Sequence, residues 1–252
     1  MSLSVIIIAR DAEATIRRCL ESVAWADEIV VLENGSGDRT AEICRELGAK
    51  VHQTDDWPGF GPQKNRALER AASEWVLSLD ADEWVSPELR AGIGAAIADA
   101  RDRIAFRMPR LSSFCGRPMR HSGWWPDYVT RLFRRGRARF SDDLVHERVI
   151  ADGPVGTLGP PLRHEAVRSL EQILAKINAY SSAGAENMLR AGRRGSLAAA
   201  LAHGYWAFLR TYVLRAGFLD GREGFMLAVC DFEVTYYRYL KLMLLAERQS
   251  AG

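Results

Sequence analysis

The sequence predicts an α/β fold, a Rossmann-like and mostly parallel sheet flanked by helices, followed by a C-terminal helical extension. Three observations predict it. Through residues 3–100, short apolar runs alternate with stretches of helical periodicity, the pattern of a sheet covered on both faces. The first run, Leu3-Ser4-Val5-Ile6-Ile7-Ile8-Ala9, is nearly all apolar, as a strand buried on both sides must be. From Ser169 onward the periodicity is helical throughout.

The elements follow in order. After the first strand, Asp11 is placed to cap a helix with Ala12, Ile16, Cys19, Leu20 and Val23 on one face. Ile29-Val30-Val31-Leu32 is a second strand, ending in the turn Glu33-Asn34-Gly35-Ser36-Gly37-Asp38. A helix with Ala41, Ile43, Cys44 and Leu47 stops near Gly48, and a short strand is expected around Val51-His52-Gln53. Gly59 to Pro62 are expected to break the chain before a helix over 63–73. Trp75-Val76-Leu77-Ser78-Leu79 is a fourth strand running into Asp80-Ala81-Asp82-Glu83, and Pro87 opens another helix at its favoured first position. Residues 104–165 carry short strands (104–108, 128–133, 145–150) in Gly-, Pro- and Arg-rich surroundings. Ser169 and Gln172 have capping-box spacing, and helical stretches are expected at about 197–218 and 224–247. The expected division is one domain over 1–165 and a helical extension over 166–252.

With 48% hydrophobic and 26% charged residues in 252, the chain is an ordinary globular one. Its net charge of +2 conceals a gradient. Residues 1–100 carry 10 Lys+Arg against 18 Asp+Glu, residues 101–150 carry 12 against 5, and residues 190–252 carry 9 against 5. An acidic first part and basic later segments suit an enzyme that holds a cation and meets an anionic partner. The cysteines at 19, 44, 115 and 230 have neither disulfide nor zinc spacing, which favours a reducing compartment and a cytoplasmic location. The apolar N-terminal run is too short for a signal peptide or a membrane span.

The strongest chemical feature is Asp80-Ala81-Asp82. Residues i and i+2 of extended chain point the same way, so both carboxylates can face one ligand at a strand end. Such a pair suits a hard divalent ion, Mg²⁺ or Mn²⁺, that shares its remaining positions with phosphate oxygens and water. The ion then offsets charge developing on a diphosphate leaving group.

Four motifs, Ser4–Asp11, Val30–Thr40, Lys64-Asn65-Arg66-Ala67-Leu68 and Leu79–Glu83, resemble in order and spacing the inverting family 2 glycosyltransferases of the GT-A fold. Asp11 stands where that family usually has Asn, and Glu33-Asn34 replaces its more familiar acidic pair. The resemblance implies that the end of the first strand (Ala9, Asp11) and Glu33 hold the base of a nucleotide-sugar donor, a UDP-sugar or its equivalent. Asp80 and Asp82 would hold ribose, metal and diphosphate. Later segments, Tyr128–Arg135, Leu144–Arg148 and Gly217–Gly224, look like the branch that includes lipopolysaccharide core β-1,4-glucosyltransferases. That implies a hexose, glucose, passing to a glycolipid acceptor such as inner-core heptose, at the inner face of the cytoplasmic membrane and with no nucleic-acid partner.

Inverting transfer needs a base for the acceptor hydroxyl. Glu147 is the first candidate, supported by His146; Asp127 is the rival, with Asp142 and Asp143 behind it. Lys64 and Arg131 are candidate phosphate contacts, Arg66 is read as structural, and Trp124 and Trp125 offer rings for sugar stacking or packing. The aromatics and arginines of the last 60 residues suit an interfacial helix on anionic headgroups or an amphipathic pair packed on the catalytic domain. Two other readings of the chain remain, a sugar nucleotidyltransferase and a non-catalytic nucleotide-sugar-binding protein.

Overall fold

The computed structural model describes residues 2–142 and 147–251. The chain forms two compact units, Met1–Arg110 with Asp127–His164, and Leu111–Pro126 with Glu165–Gly252. The segment Leu111–Pro126 thus belongs with the C-terminal residues rather than with the strands on either side of it in sequence.

The first unit begins with β1 (Leu3–Ala9), α1 (Glu13–Ser22), β2 (Glu28–Glu33), α2 (Thr40–Glu46), β3 (Lys50–Gln53), α3 (Phe60–Glu69) and β4 (Trp75–Asp80). These four strands lie parallel in the order β3-β2-β1-β4. Every residue of β1 is buried, because alternate side chains enter different cores. Val5 and Ile7 join Ile16, Leu20, Leu77 and Leu79 on one face, while Ile6 and Ile8 join Val30, Ala67, Val76 and Phe133 on the other. Full burial of each such aliphatic side chain stabilises the fold by about 1.5–3 kcal/mol. Cys19 and Cys44 are core thiols, and all four cysteines are free.

Beyond β4 the sheet becomes mixed. The chain continues through β5 (Glu83–Trp84), α4 (Pro87–Ala98), β6 (Ala105–Phe114), β7 (Arg117–Pro118), β8 (Asp127–Arg134), β9 (Ala138–Phe140), β10 (Val149–Ala151), β11 (Val155–Thr157) and β12 (Leu162–Val167). The strand order runs on as β4-β8-β6-β12-β5. Strand β8 is antiparallel to both β4 and β6, and β5 is antiparallel to β12. A mixed, in its N-terminal half parallel, sheet flanked by helices is the predicted GT-A-type architecture.

The helices of the second unit are α5 (Leu170–Arg190), α6 (Leu197–Leu209) and α7 (Gly221–Ala251). Ser169 accepts from the Gln172 amide, and the Gln172 side chain accepts from the Arg168 amide, one residue earlier than a standard capping box. A core of Phe114, Met119, Val167, Ile177, Leu227 and Cys230 lies within this unit.

Several expectations are corrected. Asp11 does not cap α1: its backbone is left-handed (φ 48°), a conformation Asp tolerates, and its carboxylate accepts from Gly37 N at 2.8 Å. The amides at the start of α1 are met instead by Asp38 Oδ2, on Glu13 N, and by Thr40 Oγ1, on the preceding Ala12 N. Helix α3 begins at Phe60, not 63. Pro62 falls in its first turn, where an amide has no helical partner, and Gly59 (φ 112°) makes the bend before it. Strand β10 begins at Val149, whereas residues 145 and 146 of the expected 145–150 strand lie outside the described residues. The long helix expected over 197–218 gives way to a π turn at Arg210–Leu214 and a 3-10 turn at Gly217–Asp220.

Candidate active site

Strand register assembles the site. Ile8 lies opposite Leu32 on one side and Asp80 on the other, and Ala9 is level with Glu33, which is level with Gln53. The carboxyl ends of the parallel strands therefore form one row, the position at which such sheets bind ligands. Because β8 runs antiparallel to β4, its beginning, Asp127 to Arg131, returns to the same end. Strand β6 then brings Arg110 level with Asp127.

At this row seven charged side chains alternate in sign. Lys64 Nζ, 2% exposed, meets Glu147 Oε1 at 2.5 Å and Asp80 Oδ1 at 2.6 Å. The other Asp80 oxygen accepts from Arg131 Nη2, which also reaches Glu83 Oε1 at 2.7 Å. Arg110 continues the series to Glu83 at 3.4 Å and to Asp127 at 2.6 Å. Glu83 Oε2 accepts from the Asp80 amide at 3.0 Å, so the turn holding the two aspartates is fixed from within. Burial would raise the Asp80 carboxyl, but Arg131 and Lys64 hold it far below the usual carboxylate range. Burial would lower the Arg131 guanidinium, and Asp80 and Glu83 more than reverse that. Arg131 Nε is buried without a hydrogen-bond partner among the described residues, a donor left over in the centre of the series.

Asn65 explains how Glu147 comes to Lys64. Its amide donates to Phe140 O at 3.0 Å and its carbonyl accepts from Phe140 N at 2.9 Å. Strand β9 is thereby clamped to α3. Strand β10 pairs with β9 (Val149 opposite Phe140), and Ser141 and Arg148 exchange hydrogen bonds, which leaves Glu147 directly before the ribbon.

Asp82 stands apart from the series. It is 39% exposed on its side chain and faces His164 Nε2 at 3.5 Å, because β12 sets His164 opposite Glu83. Among the described residues no three His, Cys, Asp or Glu converge on a common point. The donors present fit an ion that takes one or two protein ligands and completes its shell with diphosphate and water. Asp80, with both oxygens on cations, is the less available of the expected pair.

The remaining predicted residues fall as follows. Ala9 O accepts from Asn34 N at 3.0 Å, and Asp11 links the first turn to the second through Ser36 and Gly37. Glu33 is 1% exposed and accepts from Ser36 N at 2.5 Å and Gln53 Nε2 at 3.3 Å. Burial pushes its carboxyl up, and these bonds outweigh that and leave it below the ordinary value. Asn34 Oδ1 accepts from Gln63 at 3.0 Å. Arg66 pairs with Asp56, and Asp142 is an exposed residue 4.0 Å from Arg139. His146 and Asp143 lie outside the described residues. Trp124 packs edge-on against Phe114, and Trp125 lies under the Arg120 guanidinium.

Asn65, Glu83, Arg110 and His164 have no role legible in the sequence alone. Asn65 and Glu83 adjoin the candidate residues Lys64 and Asp82. Arg110 and His164 carry no local pattern at all and arrive only through strand pairing.

Residues 4–150 match the family described as Glycosyl transferase family 2. The chain is similar to the uncharacterized glycosyltransferase RT0209 of Rickettsia typhi, 30% identical over 97% of this chain and 87% of that one. It is equally similar to the lipopolysaccharide core biosynthesis glycosyltransferase LpsC of Rhizobium meliloti, 30% identical over 91% of this chain and 87% of the relative. Among solved structures, S. aureus TarS 1–349 in complex with UDP-GlcNAc overlays with a TM-score of 0.52 at 16% identity. That match covers 99% of this chain and 92% of the other, a likeness of fold.

Proposed function

The chain belongs to glycosyl transferase family 2, and from that premise we propose that it transfers a hexose, glucose first among candidates, from a UDP-sugar to a glycolipid acceptor with inversion at the anomeric carbon. The acceptor proposed is inner-core lipopolysaccharide heptose, met in the cytoplasm at the inner face of the membrane. The name of the relative LpsC, in lipopolysaccharide core biosynthesis, supports that choice.

The observation that carries the reading is the alternating series beside Asp82. Four carboxylates (Glu147, Asp80, Glu83, Asp127) against three cations (Lys64, Arg131, Arg110) leave one negative charge, and Asp82 makes two. A donor diphosphate adds more, so a divalent cation is needed for the site to accept it. Asp82, with His164 beside it, would hold Mg²⁺ or Mn²⁺; when bound, the ion offsets charge developing on the departing diphosphate. Ala9, Asp11 and the Glu33 turn shape the rim for the base, and Arg131 Nε is a spare donor for a phosphate oxygen.

Glu147 is the proposed base. Its partner Lys64 also holds Asp80, so a phosphate that draws the ammonium to itself frees the Glu147 oxygen to take the acceptor proton. The acceptor oxygen then bonds to the anomeric carbon as the bond to the diphosphate oxygen breaks. Asp127, held by two Arg110 nitrogens at 2.6 and 2.9 Å, is the rival.

The test is a screen of nucleotide sugars with heptose-containing core acceptors, read by product mass and by the anomeric coupling of the product. Transfer with Mn²⁺, its loss in chelator and its loss in a folded Asp82→Ala variant are expected. Full turnover in chelator or in that variant sinks the metal assignment. Pyrophosphate formation from a sugar 1-phosphate and a nucleoside triphosphate replaces the reading with nucleotidyl transfer.

A further inference from the structure

Helix α6 is built inside out. The residues it buries are small: Ala200, Gly204 and Ala207, followed by Thr211 in the π turn. Gly204 lies so close to α7 that an added Cβ would come within 3.0 Å of the Phe232 ring. Thr211 Oγ1 donates to Asp231 Oδ2 of α7 at 2.5 Å. The bulky apolar residues point the other way. Leu201, Tyr205, Leu209 and Val213 recur every fourth residue on the exposed side, joined by Trp206 and Leu214, and Tyr205, Trp206 and Leu214 are 61%, 55% and 66% exposed. Small residues between helices with large apolar residues outward is how helices pack in lipid, and it is the reverse of a helix packed in water.

Charge says what covers this surface. Between Arg193 and Phe225 the acidic residues are Asp220 and Glu223, and both are buried. Asp220 accepts from the amides of Arg120 and His121, and Glu223 is taken by Arg222. Arg193, Arg194, Arg210 and Arg215 are exposed and form no ion pair among the described residues. A second copy across a two-fold axis would set this patch, arginines included, against itself. No helix among the described residues is long and apolar enough to cross a membrane.

We propose that residues 193–225 are an in-plane lipid-docking surface, with Trp206, Leu209 and Leu214 entering the acyl boundary of an anionic bilayer and the four arginines meeting its phosphate headgroups. The proposal deepens the acceptor reading, since a glycolipid is met where this surface lies. It rests on residues of the second unit alone.

The test is co-sedimentation of the full chain, without donor or acceptor, with phosphatidylcholine vesicles and with vesicles that also contain phosphatidylglycerol. Binding to the anionic vesicles is expected to weaken about thirtyfold in Arg210→Gln/Arg215→Gln, at the usual contribution of two surface arginines. Trp206→Ser/Leu214→Ser is expected to abolish retention, with an unchanged thermal melt in both variants. Wild-type binding that is absent, or equal on the two vesicle types, overturns the proposal. So does light scattering that finds a stable dimer dissociated by Trp206→Ser/Leu214→Ser. Transfer to a delipidated, water-soluble acceptor is measured separately: if it fails while anionic vesicles are bound, the transfer reading falls and this one stands.

Discussion

The charged groups of the two units are arranged in opposite ways. At the strand ends of the first unit each carboxylate of the Glu147-to-Asp127 series has a cation within 3.4 Å, and the series is partly or wholly buried. On either side of α6 in the second unit, Arg193, Arg194, Arg210 and Arg215 stand exposed with no ion pair among the described residues, and large apolar side chains stand beside them. Matched buried charges have a geometry fixed by their partners, which is what chemistry on a sugar phosphate requires. Unmatched exposed charges have no geometry of their own and acquire one from an external anion. If this contrast is sound, substitutions in the first series alter turnover, stability and acid response together, while those in the second leave turnover on a soluble acceptor intact.

The largest effect is expected from Glu147→Gln. The amide keeps the size of the side chain and can still meet Lys64 through its oxygen, so donor affinity should stay within about threefold of wild type. Turnover should fall by about 10²–10⁴, the range for loss of a general base. Measured as nucleoside diphosphate release at saturating donor, retained turnover would move the base to Asp127. The paired series would then be architectural at its Glu147 end.

Lys64→Met comes next. It removes the ammonium shared by Asp80 and Glu147; Asp80 keeps Arg131, while the mostly buried Glu147 loses its cation, at a cost of about 3 kcal/mol. The sign of the pH effect follows from Asp80. Its folded-state value is depressed, so its contribution is fully present above the unfolded value near pH 4 and is lost as pH falls below it. With Lys64 gone, Arg131 and Arg110 still depress Asp80 but to a smaller extent, and the loss of stability between about pH 5 and pH 2 becomes shallower. Urea melts across that range read both effects. A variant as stable as wild type at pH 7, with the same acid limb, would show that the contrast between the units is one of geometry without energy.

Much of the first unit was legible because its signals are local. The uniform apolarity of β1, the turn after Leu32 and Asp80-Ala81-Asp82 all lie within a few residues. Lys64 and Glu147 were singled out separately, but nothing in the sequence says that one ammonium joins Glu147 to Asp80, 67 residues before it; Asn65 and the β9–β10 ribbon do that. Arg110 and His164 reach the site through antiparallel pairings that local periodicity does not encode. Asp11 was misjudged because a helix cap and a left-handed turn residue have the same composition. For α6, counting apolar residues finds a helix but not its orientation. Only the burial of Ala200, Gly204 and Ala207 reveals that the bulky face is the exposed one.

The smallest effect, and the sharpest on the boundary between the two arrangements, belongs to Asp231. It sits behind the arginine surface rather than on it: Thr211 donates to it, Arg210 and Arg215 lie near enough to draw its carboxyl down, and burial nevertheless holds that carboxyl above the ordinary value. A raised acid is stabilising in its protonated form, so its contribution is greatest below the unfolded value near pH 4 and declines as pH rises through the folded one. Asp231→Asn keeps an acceptor for the Thr211 hydroxyl and removes the half-buried charge. Stability should therefore rise on the order of 1 kcal/mol at pH 7 and be unchanged at pH 3, as read by urea melts. With that charge gone Arg210 and Arg215 are less compensated, and binding to anionic vesicles should tighten about twofold while turnover on a soluble acceptor holds. A variant destabilised at pH 7 would mean that the carboxylate is a working ion-pair partner of those arginines, and the second unit would then follow the rule of the first.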